Sequence, residues 1–155
     1  MRTAQRSDEA CADARRDWMA VLAKAPATEL GAKVGALGPL PGFDWLRKPE
    51  TGAVMVRGRA GATGAPFNVG EMTVTRCALR LADGLVGHAY VAGRDHGKAR
   101  LAAICDALLQ GPRRREVEAA VVAPLRAAHA AGRASEAGRA EATRVQFFTM
   151  VRGED

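Results

Sequence analysis

The chain has 155 residues, a hydrophobic fraction of 48% and a formal net charge of +6. This length suits one domain, and the apolar content predicts a globular protein rather than a disordered one. No apolar run approaches the ~20 residues of a membrane span, and the N-terminus has no apolar stretch typical of a secretory signal. We therefore expect one domain over residues 1–155, with residues 1–14 as a flexible tail, in the cytoplasm and without a membrane partner.

Arginine dominates the basic residues, since only four of the 23 are Lys and the other 19 are Arg. Arg presents a planar fork of donors that suits phosphate and carboxylate groups. A base-composition bias of the genome is the alternative explanation, because the chain is also rich in Ala and Gly. Charge alone is a statement about solubility rather than function, so both explanations stay open.

Cysteine and histidine spacing argues against a metal site. Cys11, Cys77 and Cys105 are far apart and form no CxxC pair, which also argues against a disulfide framework. Cys77 and Cys105 fall within apolar patterns and are expected to be buried thiols that pack as small hydrophobes. The three histidines have no metal-ligand spacing, and no nucleophile elbow or paired carboxylate is visible. We predict no bound cofactor, no metal and no catalytic residue on this chain.

Two helices are predicted in the N-terminal third. Apolar residues recur at helical spacing in both, and Pro26 separates the two patterns. A cluster of Gly and Pro at 38–42 ends the second helix. The apolar positions are Trp18, Val21, Leu22 and Ala25 in the first helix and Leu30, Val34 and Leu37 in the second.

The middle of the chain predicts an antiparallel sheet. Short strands are expected at 43–47, ending at Lys48-Pro49, and at 53–59. Residues 73–81 alternate, with Arg76 and Arg80 on the face opposite to Thr73, Thr75, Cys77, Leu79 and Leu81.

A hairpin is the strongest local prediction. Asp83-Gly84 separates the alternating strand at 73–81 from a second strand at 85–91, and Asp-Gly between two such runs is a strong hairpin signal.

Helical spacing returns after residue 95. Asp95 is a plausible N-cap for a helix with Leu101, Ile104, Cys105 and Leu108 on its apolar face. A second helical segment is expected at 113–143, kinked or divided by Pro124 and Gly132. Residues 145–151 are β-branched and aromatic, which favours a returning strand. Helices at both ends around a central antiparallel sheet predict the α+β class.

Residues 57–64 form the most informative stretch for binding. Its glycines, among them Gly61 and Gly64, let backbone N–H groups approach a ligand, and Arg57 and Arg59 add cationic forks that a phosphate needs. The stretch is neither a P-loop nor a dinucleotide-binding fingerprint, because the residues that complete those motifs are absent. A long hairpin loop with glycines at positive φ is the alternative.

Three further charged residues have an open role. Arg76 lies on a strand face, and Arg94 lies where a strand meets a helix N-terminus that could attract an anion. A solvated or partner-facing surface is the alternative for both. Glu71 could act as a base, although a cross-strand partner for an Arg is the simpler explanation.

Several blocks of sequence, in their order and spacing, resemble the PhnG family of the carbon–phosphorus lyase system. The resemblance covers nearly the whole chain, and its opening block is Trp-Met-Ala-Val-Leu-Ala at 18–23. The other blocks are residues 49–52, 54–59, 61–68, 70–77, 87–91, 93–95 and 144–153.

This resemblance implies a role within an enzyme complex. Family members assemble with subunits H, I and J into a core complex. Subunits G, H and I, together with the ABC-like subunit L, support the transfer of a phosphonate to ribose C1 of MgATP with release of adenine. MgATP is then a substrate of the complex, and the chain alone is expected to be inactive. No catalytic residue is carried over, and Arg57, Arg59, Gly61, Gly64, Arg76 and Arg94 are the candidates for substrate binding.

Other functions remain to be weighed against this one. The arginines could instead form an interface, together with Phe147, Phe148 and Met150 near the C-terminus. A basic anion-binding or nucleic-acid-binding module is the alternative function, although no nucleic-acid-binding motif or aromatic platform is present and no nucleic-acid partner is expected. A stand-alone enzyme with a phosphate site at 57–64 lacks evident acid, base or nucleophile.

Overall fold

Helices pack against one three-stranded antiparallel sheet in the computed structural model, which describes residues 2–61 and 63–144. The predicted α+β class is confirmed. The elements in chain order are α1 (Arg2–Lys24), α2 (Ala27–Gly35), β1 (Phe43–Arg59), β2 (Pro66–Leu81), β3 (Val86–Ala92), α3 (His96–Leu108), α4 (Arg114–Val117), a π-helical turn (Glu118–Val122) and α5 (Ala123–Ala142).

The two ends of the chain carry predictions that stay open. Residues 2–14 belong to α1. The flexibility expected for residues 1–14 and the single domain over 1–155 stay predictions. The strand expected at 145–151, with Phe147, Phe148 and Met150, lies outside the described residues. Among residues 2–61 and 63–144, no helix has the length and hydropathy needed to cross a bilayer.

One long strand replaces the two short strands expected before residue 60. β1 runs without interruption from Phe43 to Arg59, so the predicted end at Lys48-Pro49 is wrong. The register with β2 shifts between Arg47 and Glu50, which leaves Lys48 and Pro49 out of the ladder. Because β1 is an edge strand, a proline without an N–H is accommodated there at an irregularity of the pairing.

The sheet has the order β1-β2-β3, and one of its faces is covered by helices. The alternation expected in β2 is confirmed: Thr75, Cys77, Leu79 and Leu81 are buried, whereas Arg76 and Arg80 on the opposite face are exposed. β2 begins at Pro66, seven residues before the predicted start, and pairs with β3 only from Val74 to Arg80. The hairpin β1–β2 therefore extends well beyond the third strand.

The connection between β2 and β3 contains Asp83 and Gly84. Gly84 has a φ of 91°, which a residue with a side chain rarely adopts. The N–H of Leu81 donates to the carbonyl of Leu85 at 2.9 Å, and the Asp83 side chain accepts from the Leu85 N–H at 3.1 Å. The turn thus sets β3 antiparallel to β2 and aligns it for packing against α3.

α3 lies at the centre of the core. Eight of its thirteen residues are buried, and small side chains let its backbone approach β3 closely. The closest approach is at Gly87, where a methyl group would overlap the carbonyl oxygen of Ala103. Core residues from α1, α2, α4, the π-helical turn and α5 surround α3. They include Trp18, Leu22, Leu30, Val34, Val117, Val121, Val122 and Leu125.

Helix ends follow local chemistry in two places. The predicted N-cap is confirmed, because the Asp95 carboxylate accepts from the Lys98 N–H at 2.8 Å. Pro124 is the second residue of α5, two positions after the end of the π-helical turn, so its missing N–H falls in the first turn of that helix. Gly132 lies inside α5, which continues to Ala142, so the expected division there is wrong. A cost of about 1 kcal/mol for glycine does not break an Ala-rich helix.

Candidate functional site

The part of the β1–β2 hairpin that extends beyond β3 is a protruding two-stranded arm. We call residues 53–73 the arm, since the last pairing of β2 with β3 is at Val74. Its strands are seven or eight residues long, or about 23–27 Å at the usual rise per strand residue. Two-stranded ribbons of this kind are marginal in water by themselves. The candidate anion-binding stretch 57–64 is the tip of this arm.

One face of the arm is apolar. Val54 lies opposite Met72, and Val56 and Gly58 follow on the same face of β1. Phe67 lies opposite Gly58, and a methyl group at Gly58 would meet the Cγ2 of Val69 at 2.5 Å, so Val69 covers that glycine. The exposed fractions on this face are 39% for Val56, 50% for Phe67, 61% for Val69 and 42% for Met72. Contiguous exposed apolar stripes are typical of interaction surfaces.

The other face of the arm is cationic towards its tip. Met55, Arg57 and Arg59 alternate with the apolar-face residues of β1 and are all exposed. The Nη1 of Arg59 donates to the carbonyl of Gly64 at 3.0 Å, which fixes this guanidinium beside the turn. Glu71 lies opposite Met55, so the expected cross-strand Arg partner for this carboxylate is wrong.

The glycines of the tip have conformational roles. Gly61 has a φ of 54°, as the hairpin-loop alternative predicts. The N–H of Gly64 donates to the carbonyl of Ala60 at 3.0 Å, and a methyl group at Gly64 would lie 2.5 Å from that oxygen. The turn thus requires both residues as glycine, whatever ligand or partner it meets.

The candidate arginines occupy three separate places. Arg57 and Arg59 lie near the tip with Gly61 and Gly64, whereas Arg76 is ten residues along β2 from Pro66, or roughly 33 Å away. Arg94 follows Gly93, whose N–H donates to the carbonyl of Thr73 at the base of the arm. The chain does not bring the six candidate residues into one pocket, and substrate binding by them stays a prediction.

Arg76 belongs to an ion-pair cluster on the open face of the sheet. Its Nε donates to Glu50 at 2.7 Å, and Arg47 contacts the same carboxylate oxygen at 3.2 Å. Both arginines and Glu50 are about half exposed, and pairs of that kind contribute at most about 1 kcal/mol. These arginines remain accessible to a partner or an anion while they orient each other.

A chain of hydroxyl and imidazole groups lies at the base of the arm. Thr75 is buried and donates to the carbonyl of Gly93 at 2.7 Å, while its Oγ1 is 3.3 Å from the Oγ1 of Thr51. The Nε2 of His96 is 3.1 Å from the same Thr51 oxygen. His96 is thus exposed but held in one orientation. This series of hydrogen bonds links β1, β2 and the start of α3 beside Arg94.

The most buried charge in the described structure is Asp106, a residue that the sequence pattern did not single out. Its side chain is fully buried and accepts four hydrogen bonds. The Nε and Nη2 of Arg15 donate at 3.1 and 2.7 Å, the Nε1 of Trp18 at 2.9 Å and the N–H of His88 at 2.9 Å. One signal in the sequence indicates its role: Asp106 is an acid within the apolar helical run 101–109. A carboxylate buried in such a run needs hydrogen-bond partners.

Asp106 links elements rather than offering a reactive carboxylate. Its donors come from α1 and β3 and meet it on α3, so one side chain fixes three elements. The Arg114 guanidinium lies 5.2 Å from the centre of the Trp18 ring and adds a cation–π contact at the same place. Because four donors already occupy the carboxylate, its role is structural.

The cysteines are placed as expected. Cys77 and Cys105 are buried, and burial raises the pKa of their thiols to about 11 and about 12. The Sγ of Cys77 donates to the carbonyl of Ala99 at 3.3 Å, so it bridges β2 and α3. Thiols with such pKa values stay protonated near neutral pH and are poor nucleophiles or ligands. Across residues 2–61 and 63–144, no three His, Cys, Asp or Glu residues form a group that could hold a metal ion.

Comparison with known proteins identifies the family. The sequence profile described as "Phosphonate metabolism protein PhnG" matches residues 13–153. A relative from Rhizobium meliloti (strain 1021), named alpha-D-ribose 1-methylphosphonate 5-triphosphate synthase subunit PhnG, is 46% identical over 155 residues. The alignment covers 100% of this chain and 99% of the relative. This chain belongs to the PhnG family of phosphonate metabolism proteins.

Proposed function

We propose that this chain is a non-autonomous subunit of a synthase complex in phosphonate catabolism. The complex transfers a phosphonate to ribose C1 of MgATP and releases adenine, which makes it a transferase whose product is a ribose 1-phosphonate 5-triphosphate. The observation that carries the proposal is the 46% identity, over essentially both full lengths, to a protein named as a subunit of that synthase. MgATP enters as a substrate of the complex and not as a cofactor of this chain.

The partners in this proposal are subunits H, I and J of the core complex and the ABC-like subunit L, all in the cytoplasm. The apolar face of the arm supports membership of a complex, because it exposes side chains that a monomer in water usually covers. Arg-rich and Met-rich or aromatic surfaces of this composition are typical of protein interfaces.

The contribution of this chain to the reaction is positional and electrostatic. A phosphonate and the triphosphate of ATP are both anionic, and both must lie in line with ribose C1 while adenine leaves. Arginine forks hold such anions and stabilise developing negative charge without supplying a nucleophile. Arg57 and Arg59 on the arm, Arg76 on β2 and Arg94 in the connection between β3 and α3 are the groups proposed for this role.

Reconstitution tests the proposal. Purified subunits are combined with MgATP and methylphosphonate, and adenine release is measured with and without this chain. We expect adenine release from the complete assembly, none from this chain alone, and loss of the activity when this chain is omitted. Full-rate release by the other subunits without this chain, or release by this chain alone, would contradict the proposal.

A further inference from the structure

We propose that the arm is a two-faced insert: its apolar face docks on an uncharged apolar surface of a partner subunit, and its cationic face is presented to the anionic substrate held by that subunit. The inference rests on the proposed function, since it assigns the docking surface and the substrate-facing surface of the same complex. Its basis is the separation of apolar and charged residues between the two faces of one ribbon.

The apolar face is suited to a protein partner. Among the residues described, seven large apolar side chains are exposed, and five of these belong to the arm. Four of the five lie on one face, at Val56, Phe67, Val69 and Met72, with the half-buried Val54 among them. No charged residue interrupts that face between Val54 and Gly58 or on the opposing stretch of β2. The complementary surface must therefore be apolar and uncharged.

The cationic face is suited to an anion at its end near the tip, where Arg57 and Arg59 lie beyond Met55 and Glu71 of the same face. Arg57 and Arg59 project from the face opposite to the apolar stripe, in the last three residues of β1 before the tip. The carbonyl of Gly64 already orients Arg59, which lowers the entropic cost of placing its remaining donors on a ligand. When the arm inserts into a cleft of the partner and docks by its apolar face, both guanidinium groups face the opposite side of that cleft, where the substrate is held.

Charge complementarity selects the substrate as the occupant of the cationic face. A triphosphate and a phosphonate present several oxygens that match bidentate arginine forks. The arm is long enough to carry the backbone of Arg57 about 17 Å and that of Arg59 about 23 Å beyond the last pairing of β2 with β3, into a neighbouring subunit. A site completed in this way needs two chains, and neither chain binds the polyanion well alone.

Two double variants separate the faces, each with a matched control. Phe67→Ser with Val69→Ser removes the apolar face, and Leu46→Ser, an exposed apolar residue outside the arm, is its control. Arg57→Gln with Arg59→Gln removes the cationic face, and Arg133→Gln with Arg139→Gln, exposed on α5, is its control. Each variant is co-expressed with the partner subunits, and co-elution, the KM for MgATP and adenine release are measured.

The expected results differ between the faces. In the apolar double variant the Kd for the partner subunits rises at least about tenfold, so the variant no longer co-elutes with them. Its control still co-elutes. The arginine double variant co-elutes as wild type but raises the KM for MgATP or methylphosphonate by at least about tenfold. Wild-type co-elution of the apolar variant, an unchanged KM of the arginine variant, or loss of co-elution by the arginine variant would each overturn the inference.

A photo-crosslinker identifies the docked surface directly. p-Benzoylphenylalanine at position 67 keeps the native phenyl ring and adds a benzoyl group that the half-exposed site can accommodate. The expected product is a crosslink to a partner subunit. Two results would overturn the assignment. One is a crosslink from position 67 to a second copy of this chain, and the other is no crosslink from position 67 when the same residue at position 46 does crosslink to a partner. If the wild-type chain neither co-elutes nor supports adenine release, the proposed function fails; if it does both and the variants behave as wild type, only this inference fails.

Discussion

The hairpin β1–β2 has two halves that differ in how they meet the rest of the molecule. In the half next to β3, Thr75, Cys77 and Leu79 are buried under α3. In the other half, the arm, Phe67 and Val69 are at least half exposed. The same pair of strands therefore contributes to the core along one stretch and to the surface along the next.

The difference indicates that the helix-covered half contributes to folding and the arm contributes to association. In the helix-covered half, the described residues include no buried side-chain polar atom without a hydrogen-bond partner, and Asp106 has four donors. Buried apolar side chains and satisfied polar groups both favour the folded state of this region. The arm keeps apolar area in water that a partner can remove, at roughly 25 cal/mol per Å². We therefore expect mutations in the covered half to change folding and mutations in the arm to change binding.

Asp106→Ala should have the largest effect on folding. It removes one partner of a buried ion pair and leaves Arg15, Trp18 and the His88 N–H without their acceptor, at an expected cost of about 3–5 kcal/mol in the free energy of unfolding. Urea denaturation measures this cost. Glu50→Ala, in an exposed ion pair, is the control and should cost less than about 1 kcal/mol. Equal losses in the two variants would contradict the structural role of Asp106.

Gly87→Ala should have the next largest effect. The added methyl group overlaps the Ala103 carbonyl, so α3 must move away from β3, at an expected cost of about 1–3 kcal/mol. Gly70→Ala in the arm meets no atom within 4 Å and should stay within about 0.5 kcal/mol of wild type. Thermal unfolding of both variants measures the two losses in free energy. Equal losses would mean that α3 and β3 leave room for a methyl group at position 87.

Cys105 gives the covered half an alkaline pH dependence. Burial, followed by the charge of Asp106, raises the pKa of this thiol from 9.0 to about 12. Its contribution to stability is therefore fully present below pH 9 and is lost as the pH rises towards 12, at up to about 1.4 kcal/mol per pH unit. The difference in free energy of unfolding between wild type and Cys105→Ala should shrink between pH 9 and 11. A difference that is constant over this range would argue that the thiol is solvated.

Phe67→Ser with Val69→Ser should have the smallest effect on folding. Both side chains are already half exposed or more, so the isolated chain should lose less than about 1 kcal/mol. Leu79→Ala, on the same strand but fully buried, should lose about 2–5 kcal/mol. Denaturation of the isolated chain distinguishes the two, and a large loss for the arm variant would mean that the arm packs within its own chain.

Local chemistry made part of this fold predictable. The alternation at 73–81, the Asp95 cap and the burial of Cys77 and Cys105 all depend on neighbours within a few residues. Each of these signals is set by strand or helix periodicity or by a short-range hydrogen bond. The family resemblance was confirmed by the match over residues 13–153.

Long-range pairing made the rest unpredictable. β1 passes through Lys48-Pro49 because β2 holds the strand on both sides of the irregularity, a constraint that no local pattern contains. In the ladder at 53–59 and 66–73 neither face is buried under helices, so the alternation there does not mark a core face. The sequence therefore predicted a strand at 53–59 but none at 66–72. Asp106 was missed for a related reason: its donors are 18 to 91 residues away in the sequence.

Hydrogen–deuterium exchange of the isolated chain and of the assembled complex is the most direct test of the division between the two halves. We expect slow exchange of β3, α3 and residues 74–81 in both states, and fast exchange of residues 53–59 and 66–73 that becomes slow only in the complex. An arm that exchanges equally fast in both states, while residues elsewhere become protected, would contradict the claim that this arm is the element that binds.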